Sequence, residues 1–212
     1  MKAIIGTLTL FILLAFFACK KTQNAPYDVY VAGYESNGTK NVAKVWKNGI
    51  VMSPALSNGK QNSYAGSVYI YGSDVYVAGN EYNGNFYEAK VWKNGILMSP
   101  VLSDGQQNAT ATSVFVSGND VYVTGYENNK NNMAVAKVWK NGIVMAPALS
   151  NGQHDATGNS VYVSGNDVYV AGFESNGSKY VAKVWKNGIE MAPGLSNGQL
   201  SANASSVFVV KK

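Results

Sequence analysis

The chain has 212 residues, of which 46% are hydrophobic, 12% aromatic and only 14% charged, and its formal net charge is +5. All 17 basic residues are lysines spread evenly along the chain, so the arginine forks that read phosphate and guanine are missing and nucleic-acid binding is set aside. The 22 glycines, with abundant Asn, Val, Tyr and Trp, favour strands and tight turns over helices and point to an all-β protein.

Met1-Lys2 is followed by an uncharged, mainly apolar run from Ala3 to Ala18 and then by Cys19-Lys20-Lys21. A basic start, a run of this length and a small residue before the break describe an export signal over 1–18. The run is shorter than the roughly 20 residues of a transmembrane helix. Cys19 is the only cysteine, so it has no disulfide partner within the chain. Phe16-Phe17-Ala18-Cys19 resembles a bacterial lipoprotein signal of the Bacteroidetes type. That resemblance implies removal of 1–18, lipidation of Cys19, a short linker over 19–26, and an outer-membrane protein held by its lipid anchor close to the bilayer. A plain export signal with an incidental cysteine is the alternative.

From residue 27 onward the sequence repeats. Asp-Val-Tyr-Val recurs at Asp28, Asp74, Asp120 and Asp167, at spacings of 46, 46 and 47 residues. Lys-Val-Trp-Lys-Asn-Gly recurs with Trp46, Trp92, Trp139 and Trp185, and a third run starts at Ser67, Ser113, Ser160 and Ser206. Each repeat predicts four antiparallel strands, a to d. In the second repeat these are Ser67–Tyr71, Asp74–Gly79, Ala89–Lys93 and Ile96–Leu102. Asn94-Gly95 between the last two is the signature of a type I′ hairpin. Pro54, Pro100, Pro147 and Pro193 fall in the fourth strand and confine it to the sheet edge, because proline lacks a ladder donor.

Four-stranded meanders of this length, apolar on both faces, are the units of a β-propeller. The expected fold over 27–212 is a four-bladed propeller. The repeat begins in phase with a b strand at Asp28 and ends with an a strand, Ser206–Val210, so the C-terminal strand is expected to complete the first blade and close the ring. Pairing of two chains into an eight-bladed ring is the alternative. The consensus Val-Tyr-Val-Ala-Gly…Ala-Lys-Val-Trp-Lys-Asn-Gly resembles β-propeller-repeat lipoproteins of the Bacteroidetes type over residues 28–210. In size the domain is also similar to a four-bladed hemopexin-type propeller, without a motif that would carry over a ligand. Propellers host many functions, so the resemblance implies a fold and no activity.

Candidate chemistry is sparse. Glu35, Glu81, Glu127 and Glu174 end strand b, and Lys44, Lys90, Lys137 and Lys183 lie diagonally across on strand c. Two readings stay open for them: one structural ion pair per blade, or a ring of carboxylates able to hold a cation. The repeated tryptophans read as packing between blades. His154 is the single histidine. No nucleophile–histidine pair and no His/Cys metal set is found, so neither catalytic residues nor a metal or other cofactor are expected.

The copies differ chiefly in their b–c loops (36–41, 82–87, 128–133, 175–180) and d–a loops (60–66, 106–112, 153–159, 199–205), which project from one face of an up-and-down blade. Tyr34, Tyr64, Tyr82, Phe86, Tyr87, Tyr126, His154, Phe173 and Tyr180 on that face are the candidate ligand contacts. The expected function is a non-catalytic, monomeric cell-envelope module binding a glycan, peptide or envelope protein. The alternatives are a carbohydrate-active enzyme or its accessory subunit using the Glu residues, and a purely structural spacer.

Overall fold

The computed structural model describes residues 27–211, so the export signal, Cys19 and the linker lie outside the described residues. Its 15 strands form four antiparallel meanders, and no helix is present among the described residues. Sheet I holds β1 (Tyr30–Ser36), β2 (Asn41–Lys47) and β3 (Ile50–Val51). Sheet II holds β4 (Ser63–Tyr71), β5 (Asp74–Tyr82), β6 (Tyr87–Lys93) and β7 (Ile96–Leu97). Sheet III holds β8 (Ala109–Ser117), β9 (Asp120–Asn128), β10 (Ala134–Lys140) and β11 (Ile143–Val144). Sheet IV holds β12 (Ala156–Ser164), β13 (Asp167–Ser175), β14 (Tyr180–Lys186) and β15 (Ile189–Glu190). Strand order within each sheet follows the chain.

The c–d hairpins turn as the Asn-Gly pairs require. Asn48, Asn94, Asn141 and Asn187 have φ of 51–52°, and the glycine after each has φ of 79–81°. Positive φ at both central residues defines the type I′ turn and matches the twist of the flanking strands. The fourth strand is much shorter than expected. Pairing ends after two residues, as at Trp92↔Leu97 and Lys93↔Ile96, and Pro100 already lies beyond the strand. Met98 N–H makes one last bond to Val91 O (2.9 Å), after which the proline offers no donor.

The first strand is longer than expected and carries a bulge. In β4 the register shifts between Ala65 and Ser67, and β8 and β12 shift at the equivalent places. The bulged residues are Gly66, Thr112 and Asn159. Thr112 Oγ1 donates to Gly158 O of the next sheet (2.6 Å). The bulge thus aims a side chain from one sheet at the next.

The core lies between sheets. Ala43, Val45 and Leu56 of sheet I share a buried cluster with Ala65, Val75, Val77 and Trp92 of sheet II. Sheets II and III bury Ala78, Val91 and Leu102 with Ala111, Val123 and Trp139. Sheets III and IV bury Ala136, Val138 and Leu149 with Val161, Val170 and Trp185. Both faces of the middle sheets are covered, so β5 and β9 each show five consecutive buried residues. The first strands β4, β8 and β12 lie side by side, and their rings form a ladder: Tyr69–Phe115 at 4.8 Å and Phe115–Tyr162 at 4.9 Å.

The expected pairing of Ser206–Val210 with the first blade is not made among the described residues. Sheet I has three strands, and residues 201–211 are in no strand. The C-terminal segment lies instead along β12. Val207 N–H donates to Ser160 Oγ (3.3 Å), Asn159 Nδ2 donates to Ala204 O (2.9 Å), and Phe208 packs edge-to-face with Tyr162, ring centroids 4.9 Å apart.

Candidate binding surface

One rim of the array carries the b–c loops and the start of each first strand. An Asn at the same place in each b–c loop, Asn37, Asn83, Asn129 and Asn176, builds it. Its Oδ1 accepts backbone N–H groups two to four residues on, as Asn83 does from Asn85 and Phe86 (both 2.9 Å). Its Nδ2 donates to the carbonyl of Gly59, Gly105, Gly152 or Gly198 on the following segment, at 2.8–3.1 Å. A second tie comes from Asn62, Asn108 and Asp155, which accept the backbone N–H of Asn41, Tyr87 and Ala134 at 2.9–3.0 Å. The loops that vary most are therefore bolted to their neighbours by residues that vary little. The recurrence of Asn37, Asn83, Asn129 and Asn176 at the repeat spacing was the sequence signal for this.

On that rim the aromatic candidates fall into groups. Tyr34, Tyr64, Tyr87 and Tyr82 form a chain across sheets I and II, with ring centroids 4.9, 6.1 and 5.3 Å apart in turn. Asn41 Nδ2 donates to Tyr64 Oη (2.9 Å) and holds the second ring. Tyr34 is 55% exposed and forms the outer end. Burial, with Tyr64 beside it, pushes the Tyr87 phenol above its ordinary range, so the group is a neutral hydrogen-bond donor near pH 7. Phe173 and Tyr180 make a separate pair in sheet IV at 4.6 Å. Tyr126 stands apart in β9 and receives the Thr110 hydroxyl at 3.4 Å. His154 is exposed beside Gly177 of the sheet IV loop, and Phe86 is partly buried in the sheet II loop. Of the nine candidates only Phe86 and His154 lie in loops, since the strands run further than their motifs suggest.

The glutamates all meet lysines. Lys90 Nζ and Lys183 Nζ reach Glu81 and Glu174 at 2.7 Å, and Lys44 and Lys137 pair with Glu35 and Glu127. Lys183 also bridges Glu190 (2.7 Å), and Lys90 lies 3.4 Å from Glu88. Burial pulls the Lys183 ammonium down, but its bonds to Glu174 and Glu190 outweigh that and leave it raised. Among the described residues no group of three or more His, Cys, Asp or Glu side chains is placed to hold a metal ion.

The opposite rim holds the a–b and c–d turns and a second set of interactions. Asp28, Asp74, Asp120 and Asp167 accept from the turn residues Asn48, Asn94, Asn141 and Asn187 at 2.8–2.9 Å. Their other oxygens meet Lys47, Lys93, Lys140 and Lys186 at 2.7–2.8 Å. The lysine beside each carboxyl, then the Asn amide, holds it below the ordinary range, and each lysine is raised in return. Each of these lysines also stands 5.3–5.6 Å over a Tyr ring of strand b. A mainly apolar groove opens toward this rim. It lies between sheets I and II, is lined by Tyr30, Val45, Met52, Pro54, Leu56 and Val75 among others, and encloses about 370 Å³.

No protein-family model matches the chain, and the search of curated proteins returned no match.

Proposed function

We propose that the chain is a lipid-anchored, non-catalytic binding module of the cell envelope, with its four sheets as propeller blades and its ligand on the rim of the b–c loops. The observation that carries this reading is the Tyr34–Tyr64–Tyr87–Tyr82 chain, with one end exposed and its loops fixed by side-chain ties. A cluster of mutually inclined aromatic rings with phenol donors on a rigid scaffold suits sugar rings or an extended peptide, because little conformational freedom is lost on binding. In the same reading Ser206–Val210 serves as the first strand that sheet I lacks, and Cys19 carries the lipid.

Glycan and peptide arrays probed with the detergent-solubilised chain test the rim. Tyr34→Ala and Tyr82→Ala are expected to lower affinity for any hit at least tenfold, and binding that survives both substitutions would refute the assignment. Acyl labelling tests the anchor: incorporation is expected to vanish in Cys19→Ser, and labelling that persists would overturn it. The enzyme alternative is less favoured because Glu35, Glu81, Glu127 and Glu174 are each engaged by a lysine.

A further inference from the structure

Every junction between consecutive sheets uses the same parts. The tryptophan of the later sheet enters a buried cluster of the earlier one, Trp92 with Leu56, Trp139 with Leu102 and Trp185 with Leu149. The turn glycine of the later sheet sits on the proline of the earlier one. A Cβ added to Gly95, Gly142 or Gly188 would stand 2.4–2.6 Å from the carbonyl oxygen of Pro54, Pro100 or Pro147. At the first strands, Val114 and Val161 N–H donate to Ser67 and Ser113 Oγ (both 3.3 Å).

The two outer sheets each present an unused half of this junction. On sheet I, Trp46 is only partly buried, a Cβ on Gly49 would meet nothing within 4 Å, and Val29 and Val31 are 57% and 51% exposed. On sheet IV, Leu195 is 56% exposed, whereas its counterparts Leu56, Leu102 and Leu149 are at most 9% exposed. Among the described residues no turn glycine lies over Pro193. The C-terminal segment already makes the contacts of a next first strand: its bonds to Ser160 and Asn159 and the Phe208 ring contact repeat those between β8 and β12.

We infer that the two unused halves join head to tail, each covered by a second copy of this chain, so that two copies make one ring of eight sheets. Ser206–Val210 of one copy pairs with Asp28–Ala32 of the other. Val207 then faces Val31, as Val68 faces Val77, Val114 faces Val123 and Val161 faces Val170. The occupant is a second copy because sheet IV has already received this chain's own C-terminal segment, while among the described residues β1 of the same chain pairs with β2 alone. A head-to-tail interface of fixed rotation closes into a ring or runs on as a filament. Two chains give eight blades, at the top of the usual range of about 4–8, and three chains exceed it. The inference rests on the reading of the sheets as blades and not on any ligand.

Light scattering on the full chain in mild detergent, with detergent mass subtracted, is expected to give twice the chain mass. Leu195→Asp is expected to return it to a single chain with an unchanged circular dichroism spectrum, since Leu195 is exposed in the free chain; Gly49→Ala is expected to do the same, its strain staying within the one positive-φ turn of that residue. The register is tested by mixing two Cys19→Ser proteins, one carrying Val31→Cys and the other Val207→Cys. Oxidation is expected to yield a covalent heterodimer. A single-chain mass for the unmodified protein, a filament, a doubled mass without the mixed crosslink, or a crosslink that forms only within one chain carrying both cysteines would each overturn the inference. Loss of array binding alone would not touch it.

Discussion

The four tryptophans share a motif but not an environment. Trp92, Trp139 and Trp185 are buried to 2% exposure or less, and Trp46 is only partly buried. Replacing Trp139 by Ala removes a full core side chain and is expected to cost about 3–5 kcal/mol in denaturant unfolding. Trp46→Ala is expected to cost less than half of that in the single chain. The aspartates give a pH signature. Because the carboxyls of Asp28, Asp74, Asp120 and Asp167 are depressed when folded, their contribution is present above the unfolded carboxyl pKa of about 3.9 and is lost as pH falls through the lower folded value. Their lysines are raised, so that contribution is present below about 10.4 and lost as pH rises through the folded value above it. Melting temperature is expected to be level between these limits and to drop below about pH 4. Replacing all four aspartates by Asn is expected to flatten the acid limb.

At the scale of the element, the c–d hairpin is where local chemistry and tertiary packing meet. Gly49 and Gly95 both have φ of 79°, so Ala at either strains the turn by about 1 kcal/mol. Gly95→Ala also drives a Cβ into Pro54, and its total cost is expected to be about 2–4 kcal/mol, measured against Gly49→Ala in the same denaturant series. The ion pairs grade in the same way. Glu81 and Lys90 are 17% and 15% exposed, and Lys90→Met is expected to cost about 1–2 kcal/mol, between the surface and buried cases. Lys44→Met, opposite a Glu35 that is 59% exposed, is expected to cost under about 0.5 kcal/mol.

The strand order, the Asn-Gly turns and the edge position of the fourth strand were legible in the sequence because each depends on residues a few positions apart. The length of the fourth strand was misjudged because the hydrophobic run continues to Leu102 after pairing has ended. Leu102 is buried in the cluster its sheet shares with the next one, not by strand pairing. The bulge was illegible because Gly66, Thr112 and Asn159 are three different residue types, and the donor role that Thr112 and Asn159 share is seen only against the next segment. Of the candidate surface, the tyrosines were visible as types. Their grouping across sheets I and II was not, since Tyr34 and Tyr64 belong to different repeats.

For the whole molecule, the arrangement is a row of sheets in which each is held by its neighbours. The relation between β1 and Ser206–Val210 depends on a rotation accumulated over every junction, and no single repeat records that sum. Stability in such an array is the sum of unit terms and junction terms. Hydrogen exchange is therefore expected to be slow in β5, β9 and β13, which are inner strands of sheets II, III and IV, and faster in β1 of the single-chain Leu195→Asp protein than in β1 of the two-chain ring.

The offset between sheet and repeat has a consequence for how the gene can change. β8 and β12 dock on the preceding sheet through Ser67 and Ser113 as well as pairing within their own, and the C-terminal segment docks on Ser160 in the same way. A duplication or deletion of one whole period, cut anywhere, therefore leaves every remaining junction with both of its partners. Copy number can drift by recombination without disturbing a core, so relatives are expected to differ in their number of sheets before they differ in sequence.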